Sequence, residues 1–455
     1  MRFWFLISIL AIPFAALHAQ HDSTHMHRHD SMPAMSSAYS PSLPMNRNGS
    51  GTSWQPDNTP VYAWMQHAGK WHFMEQGSVF IRYTAQNFNN PNKRGASGFS
   101  APNWAMFMAQ RQIQNNGLLS VNVMLSADRL TEGGNGYPLL FQSGETWNSQ
   151  PLADRQHPHD VLMGLSLGYT QRITGNVDVY GSVGYPSEPA VGPTAFMHRI
   201  SAFNNPDAPL GHHWQDATHI TYGVGTVGFR YKIAKVEGSV YTGKEPDEDR
   251  VTPDNPLFDS YSYRVSVNPT KSLALQFSQG FIKSPEVLHP EENIIRTTAS
   301  VQNVAILSPR AYIASSVIYG LNTEIQPDEK NINLHSVLIE SDFNVRRFAI
   351  YGRFETIKKL FSQLALPGGS NNLSFTLNSI TLGTSFRMFS LGTMDVKVGG
   401  HFTASIYPQG LNIFYGRTAL SGQVYIRMSP QLMRLQTKSE KLKTKSRAAM
   451  LKTKK

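Results

Sequence analysis

From about residue 77 onward the chain alternates apolar and polar residues with a period of two. That is the period of a strand with one face in an apolar medium. Leu119, Val121, Val123 and Leu125 share one face, and Ser120, Asn122 and Ser126 the other. Tyr261, Tyr263, Val265 and Val267 oppose Ser262, Arg264 and Ser266, and Val424, Ile426 and Met428 oppose Gln423, Tyr425 and Arg427. No comparably long segment keeps a helical period. The pattern predicts sixteen strands, near 77–88, 104–114, 117–128, 161–173, 177–185, 219–232, 235–244, 259–268, 271–283, 294–303, 309–320, 332–342, 346–358, 374–388, 393–404 and 419–428.

The links between these strands alternate short and long through all fifteen. Asn115-Asn116, Ile233-Ala234 and Pro269-Thr270 are tight turns, whereas 129–160 and 186–218 are the longest connections. A membrane β-barrel has this parity: short periplasmic turns, long outer loops and an even number of strands. The polar face carries Glu237, Arg264, Arg353, Glu355 and Arg427, which would cost several kcal/mol each in a dry sandwich core. In a barrel they face a wet lumen. The alternative is a soluble sandwich or propeller, whose outer face can equally be polar. The expected fold is therefore all-β, an antiparallel transmembrane β-barrel of about 16 strands (range 14–18) spanning 61–430. Its expected partners are outer-membrane lipids and the barrel assembly machinery. Such barrels resemble one another in ending on a strand with a terminal aromatic. Here about 27 residues follow Met428, so either the tail extends into the periplasm or the insertion signal is internal, near Tyr425.

The ends differ from the middle. Residues 1–19 read as a cleaved secretory signal, with Arg2, an apolar stretch from Phe3 to Leu17 and a small residue at Ala19. Residues 20–60 are low-complexity and are expected to be a disordered periplasmic leader. Residues 431–455 form a basic tail. Nine Lys/Arg from Arg434 onward oppose Glu440, so +8 of the net +10 lies there and the barrel itself is near neutral. An exported chain rarely meets nucleic acid, so none is expected as a partner. With no cysteine, disulfides and thiol chemistry are excluded.

Two constellations carry candidate chemistry. The leader holds His21, His25, His27 and His29 with Met26, Met32 and Met35. Imidazole and thioether donors together suit copper ions, and thioether favours the cuprous state; a hydrophilic leader that keeps the new N-terminus extended is the plainer reading. The second lies in two long loops, which concentrate six histidines and four aspartates within 66 residues. His157, His159, His212, His213 and His219 are the candidate metal ligands there. Asp154, Arg155, Asp160, His198, Arg199 and Asp216 are candidates for a lumen plug or constriction, fixed by salt bridges. Convergence of the ring nitrogens on one point decides between a metal site and a plug alone. The acidic stretches 243–250 and 284–292 read as loop tips that can attract cations. Ser166 and Ser182 flank the histidine loops without a motif that marks either as activated, so no enzyme is expected and a hydrolase stays a distant alternative.

Tyr137-Pro-Leu-Leu-Phe-Gln-Ser-Gly-Glu145, Asp154-Arg-Gln-His-Pro-His-Asp160, Pro193-Thr-Ala-Phe-Met-His-Arg199, His212-His213-Trp214 and Gly243-Lys-Glu-Pro-Asp247 carry a more specific resemblance. Over about 60–430 the chain resembles a family of bacterial outer-membrane proteins often encoded beside copper and heavy-metal resistance genes. The resemblance implies an outer-membrane location and, by association only, copper. It supplies no cofactor or ligand residues. The expected function is a passive pore or metal-handling barrel in copper or cation homeostasis. The alternative is a barrel with a plugged lumen that acts in surface recognition or envelope structure.

Overall fold

The computed structural model describes residues 35–325, 330–368 and 373–433. The segment expected to be a signal, the first part of the expected leader and nearly all of the basic tail lie outside these residues. So do six of the seven leader candidates: His21, His25, Met26, His27, His29 and Met32.

Sixteen antiparallel strands close into one barrel. In chain order they are β1 (Trp71–Ala85), β2 (Asn103–Ile113), β3 (Gly117–Leu125), β4 (Leu162–Thr174), β5 (Val177–Gly184), β6 (Val224–Tyr231), β7 (Ala234–Tyr241) and β8 (Ser260–Thr270). β9 (Leu273–Lys283), β10 (Asn293–Ser308), β11 (Ala311–Ile325), β12 (Ile332–Val345), β13 (Phe348–Leu360), β14 (Ser374–Leu391), β15 (Met394–Ile406) and β16 (Ala419–Pro430) complete it. Closure joins β16 to β1, with Ile426 opposite Ile81 and Met428 opposite Val79. Two short strands, Trp64–Ala68 and Ser97–Ser100, extend the pairing along β1.

Each predicted strand matches one of these, and the alternation of short turns and long loops holds around the barrel. The two faces differ as the period-two pattern requires. Val227, Phe402 and Val424 are 69%, 70% and 65% exposed on the outside. Arg264, Arg296 and Arg427, pointing inward, are essentially inaccessible. A closed sheet with an apolar exterior leaves no unpaired edge, which is what a strand-built membrane span needs. No helix among the described residues is long and apolar enough to cross a membrane. Tyr425 faces inward, its hydroxyl donating to the Asn204 carbonyl at 2.7 Å. It is therefore not an outward-facing terminal aromatic.

The lumen is filled, and part of the filling corrects the expectation of a disordered 20–60 leader. Residues 35–60 run inside the barrel. Gln110 donates to the Ser36 carbonyl at 3.1 Å, Ser120 to Ala38 at 3.1 Å, Arg264 to the Thr52 hydroxyl at 2.8 Å and Asn268 to Gln55 at 2.8 Å. Ser40 donates to Asp178, and Lys235 to the Thr52 carbonyl. The low apolar content that suggests disorder in water suits this environment, because the lumen wall supplies polar partners from several strands. Met35 itself is buried among other methionines rather than displayed in a leader.

Candidate metal centre in the lumen loops

The second lumen element is the loop between β5 and β6, residues 185–223. It crosses the barrel to the far wall. Arg199 donates through Nε to Glu340 on β12 at 2.5 Å and through Nη1 to the Thr194 carbonyl at 3.0 Å, with Asp216 at 3.4 Å. Glu340 also accepts from Arg353 on β13 at 3.1 Å and from Ser201 at 2.8 Å. Asn204 donates to Asp342 at 2.8 Å, and Glu355 accepts from the Leu210 amide at 2.6 Å. Charge pairs of this kind in a low-dielectric interior gain little over apolar packing, but they fix one geometry, because removing a single partner strands the other. Arg199 and Asp216 thus sit in the tie that holds this loop across the lumen.

Asp154 and Asp160 fasten loop to loop instead, and Arg155 ties its own loop together. Asp154 meets Arg94 at 2.7 Å, and Arg155 donates to the Asn135 carbonyl at 2.6 Å. Asp160 faces Arg250 at 3.4 Å and accepts from the Tyr222 hydroxyl at 3.2 Å. His198 belongs to neither group; its ring lies 4.8 Å from that of Trp104, in a methionine-lined sector of the wall.

Glu188, on the same loop, has Arg264 at 3.5 Å, with Ser50 and Asp216 also close to its carboxylate. Burial pushes its carboxyl up to about 7, against the opposing pull of Arg264. A carboxyl whose folded pKa is raised contributes fully below its unfolded value, and that contribution is lost as pH rises from 4.5 to about 7. Glu188→Gln should therefore raise the melting temperature at pH 8 and leave it unchanged at pH 4.5. The gain is bounded at about 3 kcal/mol, at ~1.36 kcal/mol per pKa unit. Thermal unfolding at the two pH values checks this.

The five histidines of the two loops come together. His212 and His213 are consecutive on one helical turn, His212–Gln215, with rings 5.2 Å apart. The His157 ring lies 6.2 Å from His212 and 5.8 Å from His213. His219 is 5.2 Å from His212 and 5.6 Å from His159. One ligand atom from each of His157, His212 and His213 lies within 4.8 Å of the others. Three atoms so spaced can share one ion at metal–nitrogen distances near 2 Å after only small side-chain movement.

The inner nitrogens are already oriented. His212 Nδ1 is 2.6 Å from Asp216, His159 Nδ1 2.7 Å from Asp128 and His213 Nδ1 3.2 Å from Glu245. His219 Nδ1 is 2.8 Å from the Asp216 carbonyl. The Nε2 atoms of His157, His159, His213 and His219 are buried without a hydrogen-bond partner. His159 and His213 thus have a carboxylate on one nitrogen and an open second nitrogen, the arrangement that presents imidazole to a metal, whereas His157 Nε2 faces Glu145. Burial pulls His157 and His219 well below the usual imidazole range and His213 down to about 4. Burial therefore favours the neutral, ligating form of these three rings. Burial also pushes Glu145, 3.4 Å from His157, and Glu245 up to about 7. Gly144, at φ +121°, lets the chain pass the His213 ring, where a Cβ would sit 2.8 Å from it.

Sequence reading found the five histidines and Asp216 but not the roles of Asp128, Glu145 and Glu245. Glu245 stood in an acidic loop read as a tip. Three loops contribute, 126–161, 185–223 and 242–259, and nothing local announces that the third folds in beside the first two. A second histidine–carboxylate group, His289 with Glu291 and Glu292, lies at the surface of the loop 284–292.

No protein-family model and no curated protein sequence matches this chain. Among solved structures, the chain is similar to an anion-selective porin from Comamonas acidovorans, at 9% identity and a TM-score of 0.49 over 79% of this chain and 99% of that one. It is also similar to the outer-membrane protein OmpT of Vibrio cholerae with loop L8 deleted, at 8% identity and a TM-score of 0.47 over 79% and 100%. A third is OmpF of Salmonella typhi in complex with daunomycin, at 12% identity and a TM-score of 0.46 over 80% and 100%.

Proposed function

We propose that this protein is a bacterial outer-membrane barrel that captures a transition-metal cation at the loop end of its lumen and holds the lumen closed around it. The observation that carries this reading is the convergence of His157, His212 and His213, one ligand atom each within 4.8 Å. Oriented neutral imidazoles with adjacent carboxyls suit Cu(II), Zn(II) or Ni(II), and copper fits the expected link to copper homeostasis. Barrels of this kind keep their short turns on the periplasmic side, which supports a reading in which the histidine loops meet cations arriving from outside. A passive open pore is disfavoured by the two segments that fill the lumen.

The test is equilibrium dialysis of the purified full-length barrel against Zn(II) and Cu(II), read beside the variant in which His157, His212 and His213 are alanine. Loss of one tightly held equivalent in the variant supports the proposal. Equal binding by both forms removes it and leaves the plugged, non-transporting barrel. That second reading has its own support in the buried Arg199–Glu340–Arg353 pairing.

A further inference from the structure

The lumen wall holds an unusual concentration of thioether. Met35, Met74, Met106, Met108, Met124 and Met163 are buried in one cluster, and Met45, Met65, Met197 and Met433 pack against it. These are ten of the 17 methionines in the chain. Packing alone does not call for sulfur here. Elsewhere the same protein builds its largest apolar cluster from Leu140, Leu210, Leu334, Leu360, Leu364 and other residues, with no methionine. The methionine cluster contains no leucine.

The strand register turns the cluster into a ladder. Met163 opens β4 beside Met124, which pairs with Gly164. Met124 on β3 lies opposite Met106 on β2. Two residues along, about 6.7 Å toward the short-turn end, Met108 lies opposite Met74 on β1, and Met74 lies opposite Met65. The inserted segment adds Met35 and Met45, and the plug loop adds Met197. A cavity of about 60 Å³ lies among Met45, Met74, Met106, Met108, Met197 and His198, larger than one water or one ion requires. Burial alone holds the His198 ring neutral, down to about 4.

The ladder begins where the histidine cluster ends. The Phe196 ring lies 5.5 Å from His212 and 6.4 Å from both His159 and His219. Its neighbour Met197 packs against the methionines. Thioethers are soft, neutral donors. They favour monovalent d10 cations over hard or divalent ones, and a neutral imidazole completes such a set.

We infer that the methionine-lined wall, with His198, is a binding path for a soft monovalent cation, Cu(I) or Ag(I), running from the histidine cluster toward the short-turn end. It does not depend on the histidine cluster binding a metal, since its donors are different atoms with different preferences.

The experiment uses the full-length protein in detergent, anaerobic, with Cu(I) in competition with a colorimetric chelator, and X-ray absorption at the copper edge. Met→Leu is the probe because the two side chains are close in volume and the exchange is among the best tolerated in cores. The variant M74L/M106L/M108L/M124L should lose at least tenfold in Cu(I) affinity and its sulfur scattering shell, with Zn(II) binding unchanged. Retention of wild-type affinity and sulfur shell by this variant overturns the inference, as does their loss on M26L/M32L alone, which would place the site in the leader. If the fourfold variant does not fold, as judged by heat-modifiable gel migration, M106L and M108L singly with Ag(I) take its place. A reduced Ag(I) stoichiometry in either supports the path, and unchanged stoichiometry in both overturns it. Loss of Zn(II) but not Cu(I) on removal of His157, His212 and His213 separates this site from the first.

Discussion

An Arg199→Ala variant should release the plug, and current should appear in planar bilayers where the wild-type barrel passes little. Arg199 carries the charged tie between the 185–223 loop and Glu340 on the opposite wall, beside the hydrogen bonds of Asn204 and the Leu210 amide. Its guanidinium, with no exposed surface, spans Glu340 at 2.5 Å, the Thr194 carbonyl at 3.0 Å and Asp216 at 3.4 Å. Removing one partner of a buried pair costs about 3–5 kcal/mol, most of it the charge left behind. Glu340 would retain Arg353 and Ser201, and Asp216 would retain His212, so the barrel wall should survive while the loop loosens. Arg199→Lys keeps the charge but not the fork of donors, and should fall between the two. Replacing 188–220 by a short glycine-rich turn sets the upper limit of the current. Single-channel recording, with limited proteolysis to report loop exposure, checks the result. Silent traces and an unchanged cleavage pattern for Arg199→Ala would mean that the loop's other ties, Asn204 to Asp342 and the Leu210 amide to Glu355, hold the plug without Arg199.

Metal affinity should fall in two steps as the histidine centre is dismantled. Glu245→Gln removes the carboxylate beside His213 Nδ1 at 3.2 Å and leaves every ring in place. Partners of this kind are worth about 10–100-fold in affinity. His213→Ala removes a donor outright and should cost more than Glu245→Gln. The triple alanine variant at His157, His212 and His213 should bind no better than an exposed imidazole. Competitive titration with a chromophoric Zn(II) chelator reads all three. His289→Ala serves as the control, because His289 is 41% exposed and far weaker in its contacts, with carboxylates at 3.9 and 4.0 Å. Equal losses for His289→Ala and His213→Ala would mean that the protein binds metal through its exposed histidines.

The barrel was legible in the chain because its cause is local. A strand between lipid and lumen must alternate, so Val227 and Phe229 face out while Thr226 and Arg230 face in. Turn and loop lengths then fix the parity. The plug was half legible: Arg199 and Asp216 stood out in the sequence, but Glu340, the wall partner of Arg199, lies 141 residues away. Asp128 and Glu145 lie in the same long loop as His159 and His157, but only the folding of that loop brings them together. Residues 35–60 were misread for a related reason. Composition reports what a segment does in water, and this segment is surrounded by Gln110, Ser120, Arg264 and Asn268. The methionine ladder left a trace in the sequence, Met106 and Met108 two residues apart on one face, but its other rungs come from separate strands.

The sequence by itself determined the wall: sixteen strands, their inward and outward faces, and the end of the barrel on which the histidine loops stand. Each of these follows from residue-by-residue contact with lipid, lumen or turn, which a period of two and a link length record directly. Only the tertiary structure decided what the lumen contains. Which nitrogen a carboxylate orients, which methionines face one another and which segment turns inward depend on pairings between separate elements, as in His159–Asp128, Met74–Met108 and Thr52–Arg264. The chemistry of such pairings is set by burial and distance, and neither is written in the local pattern of residues.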